Sequence, residues 1–124
     1  MMNEKEAMQS MFDTALAHIR KQGKPSIDGF SCVYKSDDGS SCAFAPFITS
    51  YHPEMEGKVS SCLLEEFPAS LNPICQDVPK YFLNYIQECH DCPSDEYESG
   101  NFLSEYESHM RNLATKYNLD YSPC

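Results

Sequence analysis

The sequence predicts an α+β, mainly α domain, with an N-terminal helix, one β-hairpin and then three helices packed around a single core. Two observations lead to this fold class. Apolar residues recur at helical spacing in four segments, and an Asp-Gly pair separates two short β-compatible runs after the first of them. The 124 residues predict a single domain over 1–124, with an ordered core over about 4–119. Strand–helix–strand alternation is missing from the pattern, which argues against a dinucleotide-binding fold.

The first helix is predicted both by its apolar spacing and by the residues at its ends. Asn3 and Glu6 have the spacing of a capping box, and Gly23 followed by Pro25 predicts where the helix stops. The apolar positions that follow the i, i+3, i+4, i+7 pattern are Met8, Met11, Phe12, Ala15, Leu16 and Ile19.

The β-hairpin is predicted over residues 31–44. Residues 31–35 and 41–44 are short β-compatible runs, and Asp38-Gly39 between them is a strong turn signal. Alternation along the two runs predicts one face that covers the helical core. The side chains on that face are Cys32, Tyr34, Cys42 and Phe44.

Three further helices are predicted from apolar spacing and from the residues that bound them. The second helix ends at Pro68 and carries Val59, Cys62, Leu63 and Phe67. The third is the predicted central helix, with Pro79 in its first turn and an apolar stripe formed by Val78, Tyr81, Phe82, Tyr85, Ile86 and Cys89. The last helix has Asn118 as a left-handed cap and carries Phe102, Tyr106, Met110, Leu113 and Tyr117.

The composition excludes several classes of function. Nineteen acidic side chains against nine basic ones give a net charge of −10, which argues against a direct nucleic-acid surface or an anionic-membrane surface. The apolar runs are far shorter than a membrane span, and the first residues are polar and acidic rather than typical of a signal peptide. We therefore expect a cytoplasmic protein.

The negative charge concentrates in the second half of the chain. No lysine or arginine occurs between Lys80 and Arg111, whereas seven acids and two further tyrosines define a predicted partner-binding surface. Its residues are Glu88, Asp91, Asp95, Glu96, Glu98, Glu105, Glu107, Tyr97 and Tyr106. Two interpretations remain open: a solvated surface, or a patch that fits a basic groove on a partner, with DNA mimicry as its sharpest form.

The seven cysteines are predicted to be reduced thiols, most of them packed in the core, because their number is odd and their spacing is irregular. A C-x-x-C motif at 89–92 is the main metal signal, but zinc sites are typically signalled by two such pairs, so we predict no metal and no cofactor. If a metal binds, the predicted ligands are Cys75, Cys89, His90 and Cys92, with Cys32 or Cys42 as further donors. The sequence contains no phosphate-binding loop or nucleophile motif, and we predict that the protein is not an enzyme.

Six short segments resemble those of small uncharacterised proteins encoded by tailed bacteriophages and prophages. They are HIRKQG at 18–23, CVYK at 32–35, DGSSCA at 38–43, YHPEMEG at 51–57, IQECHD at 86–91 and MRNLATKY at 110–117. After the Cys-Ala pair the chain has Phe44-Ala45-Pro46, where the similar proteins usually have a glycine and Ile-Pro. The resemblance implies a phage product made in a bacterial cytoplasm.

The same resemblance points to six polar positions as a candidate site: Asp38, Gly39, Glu54, Glu56, His90 and Asp91. Each position also has a structural interpretation, since Asp-Gly forms turns, the two glutamates flank a helix start and His90-Asp91 can cap a helix. The predicted function is a small acidic accessory protein that binds and inhibits or redirects a host protein, for example a defence or DNA-handling complex. The alternatives are a binder of a small nucleotide signal and a zinc-stabilised domain with a structural role.

Overall fold

The computed structural model describes residues 3–28, 31–91 and 100–121. Four α-helices run through these ranges: α1 (Glu4–Gln22), α2 (Ser60–Glu66), α3 (Lys80–Asp91) and α4 (Phe102–Tyr117). Two antiparallel strands of two residues each, β1 (Ile27–Asp28) and β2 (Ser31–Cys32), follow α1. Short 3-10 turns lie at Ala45–Phe47, Pro53–Met55, Pro68–Ser70 and Pro73–Gln76. Among the described helices, none combines the length and the apolar character that crossing a bilayer requires.

The four helices confirm the predicted helical segments, and the predicted caps explain both ends of α1 and the end of α4. α2 is shorter than predicted, since Val59 and Phe67 flank it, and α3 begins one residue after Pro79. The backbone N–H of Glu6 donates to Oδ1 of Asn3 at 2.8 Å, which satisfies one of the free donors at the start of α1. Gly23 ends α1 in the left-handed region at φ 74°, and its N–H donates to the carbonyl of Ile19 at 2.7 Å. Asn118 ends α4 in the same way at φ 55°.

The predicted β-hairpin is wrong, and so is the α+β class that depended on it, because the described chain is mainly helical. The turn at Asp38-Gly39 does form, but the two runs that flank it pair only through a single isolated bridge between Lys35 and Ser41. The second run cannot extend the pairing. It leads directly into the 3-10 turn Ala45–Phe47, where Pro46 has no N–H to donate.

The first run of the predicted hairpin uses its backbone donors elsewhere. The N–H of Val33 donates to the carbonyl of Ser26 at 3.1 Å. Those of Tyr34 and Lys35 donate to the carboxylate of Glu56 at 2.8 and 3.2 Å. The Glu56 carboxylate, about twenty residues further along the chain, thus takes the place of the partner strand that alternation predicted. This is a tertiary contact, which the local sequence pattern does not predict.

The core lies where α1, α3 and α4 meet, and α2 packs on the other side of α3. The buried side of α3 differs from its predicted stripe, because Tyr81 is 72% exposed whereas Leu83 and His90 are buried. The reason is that α3 has neighbours on two sides. Asn84 and Gln87 of α3 accept hydrogen bonds from the first residues of α2, so the buried arc is shifted and Tyr81 falls outside it.

Candidate functional site

A cleft of about 230 Å³ opens between the segment after β1, the approach to α2 and the C-terminal half of α3. It is lined by Cys32, Val33, Tyr34, Cys42, Glu56, Gly57, Lys58, Val59, Gln87 and Asp91. Four of the six short segments singled out in the sequence contribute to this lining: residues 32–35, 38–43, 51–57 and 86–91. The fold therefore brings together side chains that lie up to about sixty residues apart in the sequence.

Two residues of α3 position the floor of the cleft. Gln87 and Asp91 are four residues apart and so share one face of the helix. Oε1 of Gln87 accepts from both the backbone N–H and the hydroxyl of Ser60, at 2.9 Å each, where α2 begins. This bond fixes α2 against α3, because Val59, the residue that precedes α2, supplies no capping side chain.

Glu56 organises the opposite wall. Besides the N–H groups of Tyr34 and Lys35, its carboxylate accepts the hydroxyl of Tyr51 at 2.6 Å. The hydroxyl of Tyr34 in turn donates to the carbonyl of Lys58, which links the two segments that form this wall. Burial raises the pKa of Tyr34 well above its ordinary value, so this hydroxyl stays a neutral donor.

Replacing Glu56 by alanine is expected to lower the free energy of unfolding by about 1–2 kcal/mol, since three donors lose their acceptor. The matched control is Glu54→Ala, because Glu54 is exposed on the 3-10 turn just before it. Urea unfolding followed by circular dichroism measures both changes. Equal stability of the two variants would contradict the role assigned to Glu56.

His90 is fully buried and connects α3 to the chain that follows α1. The backbone N–H of Ser26 donates to Nε2 of His90 at 2.9 Å, and Nδ1 of His90 lies 2.8 Å from Oδ1 of Asp91. Because Nε2 accepts, the proton of the neutral ring is on Nδ1 and is donated to Asp91. The ring also packs edge-on against Phe102 at 5.8 Å.

Asp38 and Gly39 form a turn and lie outside the cleft lining. Oδ1 of Asp38 accepts from the backbone N–H of Ser40 at 2.9 Å and from the hydroxyl of Ser36. Oδ2 pairs with Lys24 at 2.8 Å, and this hydrogen bond is the main reason that the pKa of Asp38 is lowered. Gly39 adopts φ 90°, which a side chain would strain. These two candidate positions therefore have structural roles.

The structure divides the predicted acidic surface. Glu88 and Glu105 are exposed, whereas Glu107 is engaged by Arg20 and Tyr121 and Asp91 is half-buried beside His90. Tyr106 is fully buried, with its hydroxyl bonded to the carbonyl of Ala15, which removes it from the predicted surface. Four of the predicted residues lie outside the described ranges: Asp95, Glu96, Tyr97 and Glu98.

The ligands predicted for a metal do not meet in the described ranges. Cys75 and Cys89 are buried apart from the only cluster of donors found there, and Cys92 lies outside those ranges. Burial raises the pKa of Cys75 to about 12 and that of Cys42 further, so both are protonated at neutral pH. The sequence analysis gave Cys32 only a secondary place among the possible ligands. In the structure its sulfur lies within 4.8 Å of donor atoms of His90 and Asp91, although these residues are almost sixty positions further along the chain.

A second surface lies on the opposite side of α3, where it faces α4. Tyr81, Tyr85 and Glu88 share one face of α3 by their i, i+4, i+7 spacing. A groove of about 190 Å³ lies between the two helices and is lined by Tyr85 and Glu88 of α3 and by Lys116, among others, of α4. Tyr81 lies one turn before Tyr85 on α3. Nζ of Lys116 donates to the hydroxyl of Tyr85 at 2.9 Å and lies 4.1 Å from the centre of its ring. We call the exposed residues Tyr81, Glu88, Glu105 and Lys116, together with the partly buried Tyr85, the α3–α4 surface.

Comparisons of the chain with protein-family models, curated proteins and solved structures found no match.

Proposed function

We propose that the protein acts by binding a basic surface of a partner protein through the α3–α4 surface, and that this binding inhibits or redirects the partner. The observation that carries the proposal is the exposure of Tyr81, which is 72% accessible while the other aromatic residues of α3 are at least half covered. Tyrosine is enriched in protein interfaces because it supplies a large contact area at low conformational cost. An exposed tyrosine next to a groove is a typical anchor.

The charge supports a basic partner. The chain has a net charge of −10, and Glu88 and Glu105 are exposed acids on the α3–α4 surface. They are expected to lie at the same end of the groove, because α3 and α4 pack with the end of one near the start of the other, as the contact of Phe82 with Tyr117 indicates. Complementary charge steers association and selects partners more than it adds affinity.

The biological setting comes from the resemblance to phage proteins, which implies a host protein as the partner, such as a defence or DNA-handling complex. DNA mimicry is the sharpest form of this proposal. It predicts that DNA competes with the protein for its partner and that affinity falls steeply with salt concentration.

Catalysis and nucleotide binding have less support in the cleft. The thiol of Cys42 is held protonated by burial, so it is not a nucleophile at neutral pH. A nucleotide needs positive donors for its phosphates, whereas Glu56 and Asp91 line the cleft, and Nζ of Lys58 lies 3.3 Å from Glu66. The cleft is therefore poorly suited to a phosphate ligand.

The test captures partners from bacterial lysates with the tagged chain, purifies a captured protein and measures its affinity for variants. Tyr81→Ala is expected to weaken binding at least about tenfold, as loss of an interface anchor does. Glu88→Lys is expected to weaken it by a similar factor, because it places a positive charge opposite a basic partner surface. Glu54→Lys makes the same charge change away from the α3–α4 surface and is expected to bind as the wild type does. Binding that is equally strong in all three variants would refute the proposed surface.

A further inference from the structure

Three side chains with metal-binding atoms come together beside the cleft. The sulfur of Cys32, a ring nitrogen of His90 and a carboxylate oxygen of Asp91 all lie within 4.8 Å of one another. The ligand atoms of a tetrahedral zinc ion are about 3.5 Å apart, given bond lengths of about 2.0–2.3 Å. A displacement on the order of an ångström therefore converts this cluster into a coordination site.

We propose that Cys32, His90 and Asp91 bind a zinc ion. A thiolate, an imidazole and a carboxylate form a donor set that suits zinc, whereas magnesium and calcium prefer oxygen ligands alone. Cys32 and Asp91 also line the cleft, so an ion reaches them from solvent. Three protein ligands leave a fourth position for water, as in other zinc sites with three protein ligands.

Zinc binding requires a defined rearrangement of protons at His90. In the described geometry Nε2 accepts from the N–H of Ser26, so Nδ1 carries the proton that faces Asp91. Coordination through Nδ1 moves the ring proton to Nε2 and ends the bond from Ser26, while Cys32 releases its thiol proton to solvent. The free energy of zinc binding at a site with a thiolate ligand is several times that of one hydrogen bond. It therefore exceeds the cost of losing the bond from Ser26 to His90.

The site joins two parts of the chain that lie far apart in the sequence. Cys32 belongs to the two-residue strand β2, whereas His90 and Asp91 are the last residues of α3. The thiol of Cys32 lies 3.9 Å from the backbone carbonyl of Asp91, so the two segments are already in contact at this point. Zinc is thus expected to raise the melting temperature, because it binds the folded chain and not the dispersed ligands.

The experiment titrates zinc, and separately cobalt, into the full chain after removal of bound metal with a chelator. We expect binding of one equivalent, a sulfur-to-cobalt charge-transfer band and a rise in melting temperature. Cys32→Ser is expected to abolish the band and to weaken zinc binding at least about tenfold, and Asp91→Asn is expected to weaken zinc binding by a similar factor. The matched control is Cys62→Ser, because Cys62 is also a half-buried thiol but lies on α2 outside the cluster.

Nitrogen chemical shifts of His90 give a second measurement that does not depend on the stability of a variant. The zinc-free protein is expected to carry its ring proton on Nδ1, and zinc is expected to move that proton to Nε2 and shift the amide resonance of Ser26. Two results would overturn the proposal: a cobalt complex without a thiolate band, or zinc binding that leaves the tautomer of His90 unchanged.

Discussion

Replacing Phe82 by alanine is expected to lower the free energy of unfolding by about 3–5 kcal/mol, the largest effect of any substitution considered. Phe82 is fully buried on α3, and its ring meets that of Tyr117 edge-on at 5.2 Å, where α3 packs against α4. The variant loses the transfer free energy of the ring and leaves a cavity that the helices on either side cannot close. Urea unfolding followed by circular dichroism measures the change.

The neighbouring residue provides the control for Phe82. Tyr81→Ala removes a similar ring from the same turn of α3, but Tyr81 is 72% exposed, and we expect a change within about 0.5 kcal/mol. The contrast tests which face of α3 is buried, since the sequence assigned both residues to one apolar stripe. Comparable destabilisation by the two substitutions would mean that Tyr81 is covered in the folded protein, and it would remove the basis of the α3–α4 surface.

The second large effect is expected from Glu107→Gln, which breaks the pairing of α4 with α1. Nε and Nη2 of Arg20 donate to the two carboxylate oxygens of Glu107 at 2.5 and 2.6 Å, and the Tyr121 hydroxyl donates at 2.5 Å. Both charged side chains are less than one-fifth exposed. Bidentate charge-assisted bonds in such surroundings contribute more than surface pairs, and we expect a loss of about 2–3 kcal/mol at pH 7.

The effect of Glu107→Gln is expected to depend on pH in one direction. The bonds from Arg20, which outweigh the opposing effect of burial, lower the pKa of Glu107 below its ordinary 4.5 in the folded protein. A lowered folded pKa means that the stabilisation is fully present above the unfolded pKa and is lost as pH falls through the folded pKa. The stabilities of wild type and variant should therefore converge as the pH falls from about 4.5 through the lowered folded pKa of Glu107. A difference in stability that persists below the folded pKa would contradict an electrostatic origin.

The helices and their ends were predictable because the signals are local. Amphipathic spacing is visible within a few turns of sequence, and caps such as Asn3, Gly23 and Asn118 act on residues within a few positions of them. The hairpin was also predicted from a local signal, Asp38-Gly39, and that turn exists. What failed was the extension of the turn into strands, since the donors of Tyr34 and Lys35 bind Glu56 instead.

The candidate site was predictable only in its parts. The segments around Glu56 and Asp91 were singled out, but nothing in their spacing indicates that they face each other across a cleft. The sequence analysis assigned Tyr106 to the acidic surface because acids flank it. In the structure Tyr106 lies in the core, where its hydroxyl donates to the carbonyl of Ala15 in α1. The pairing of Cys32 with His90 and Asp91 joins residues almost sixty positions apart, a separation over which periodicity carries no information.

The sequence by itself determined the four helical segments, the ends of α1, the end of α4 and the acidic charge. Only the tertiary structure decided which polar side chains stabilise the fold and which remain on the surface. Glu56 and Glu107 are chemically similar carboxylates, yet each is engaged by donors from a different segment, whereas Glu88 and Glu105 are exposed. The physical reason is that the partners of a carboxylate are set by long-range packing, which residue type and local spacing do not encode.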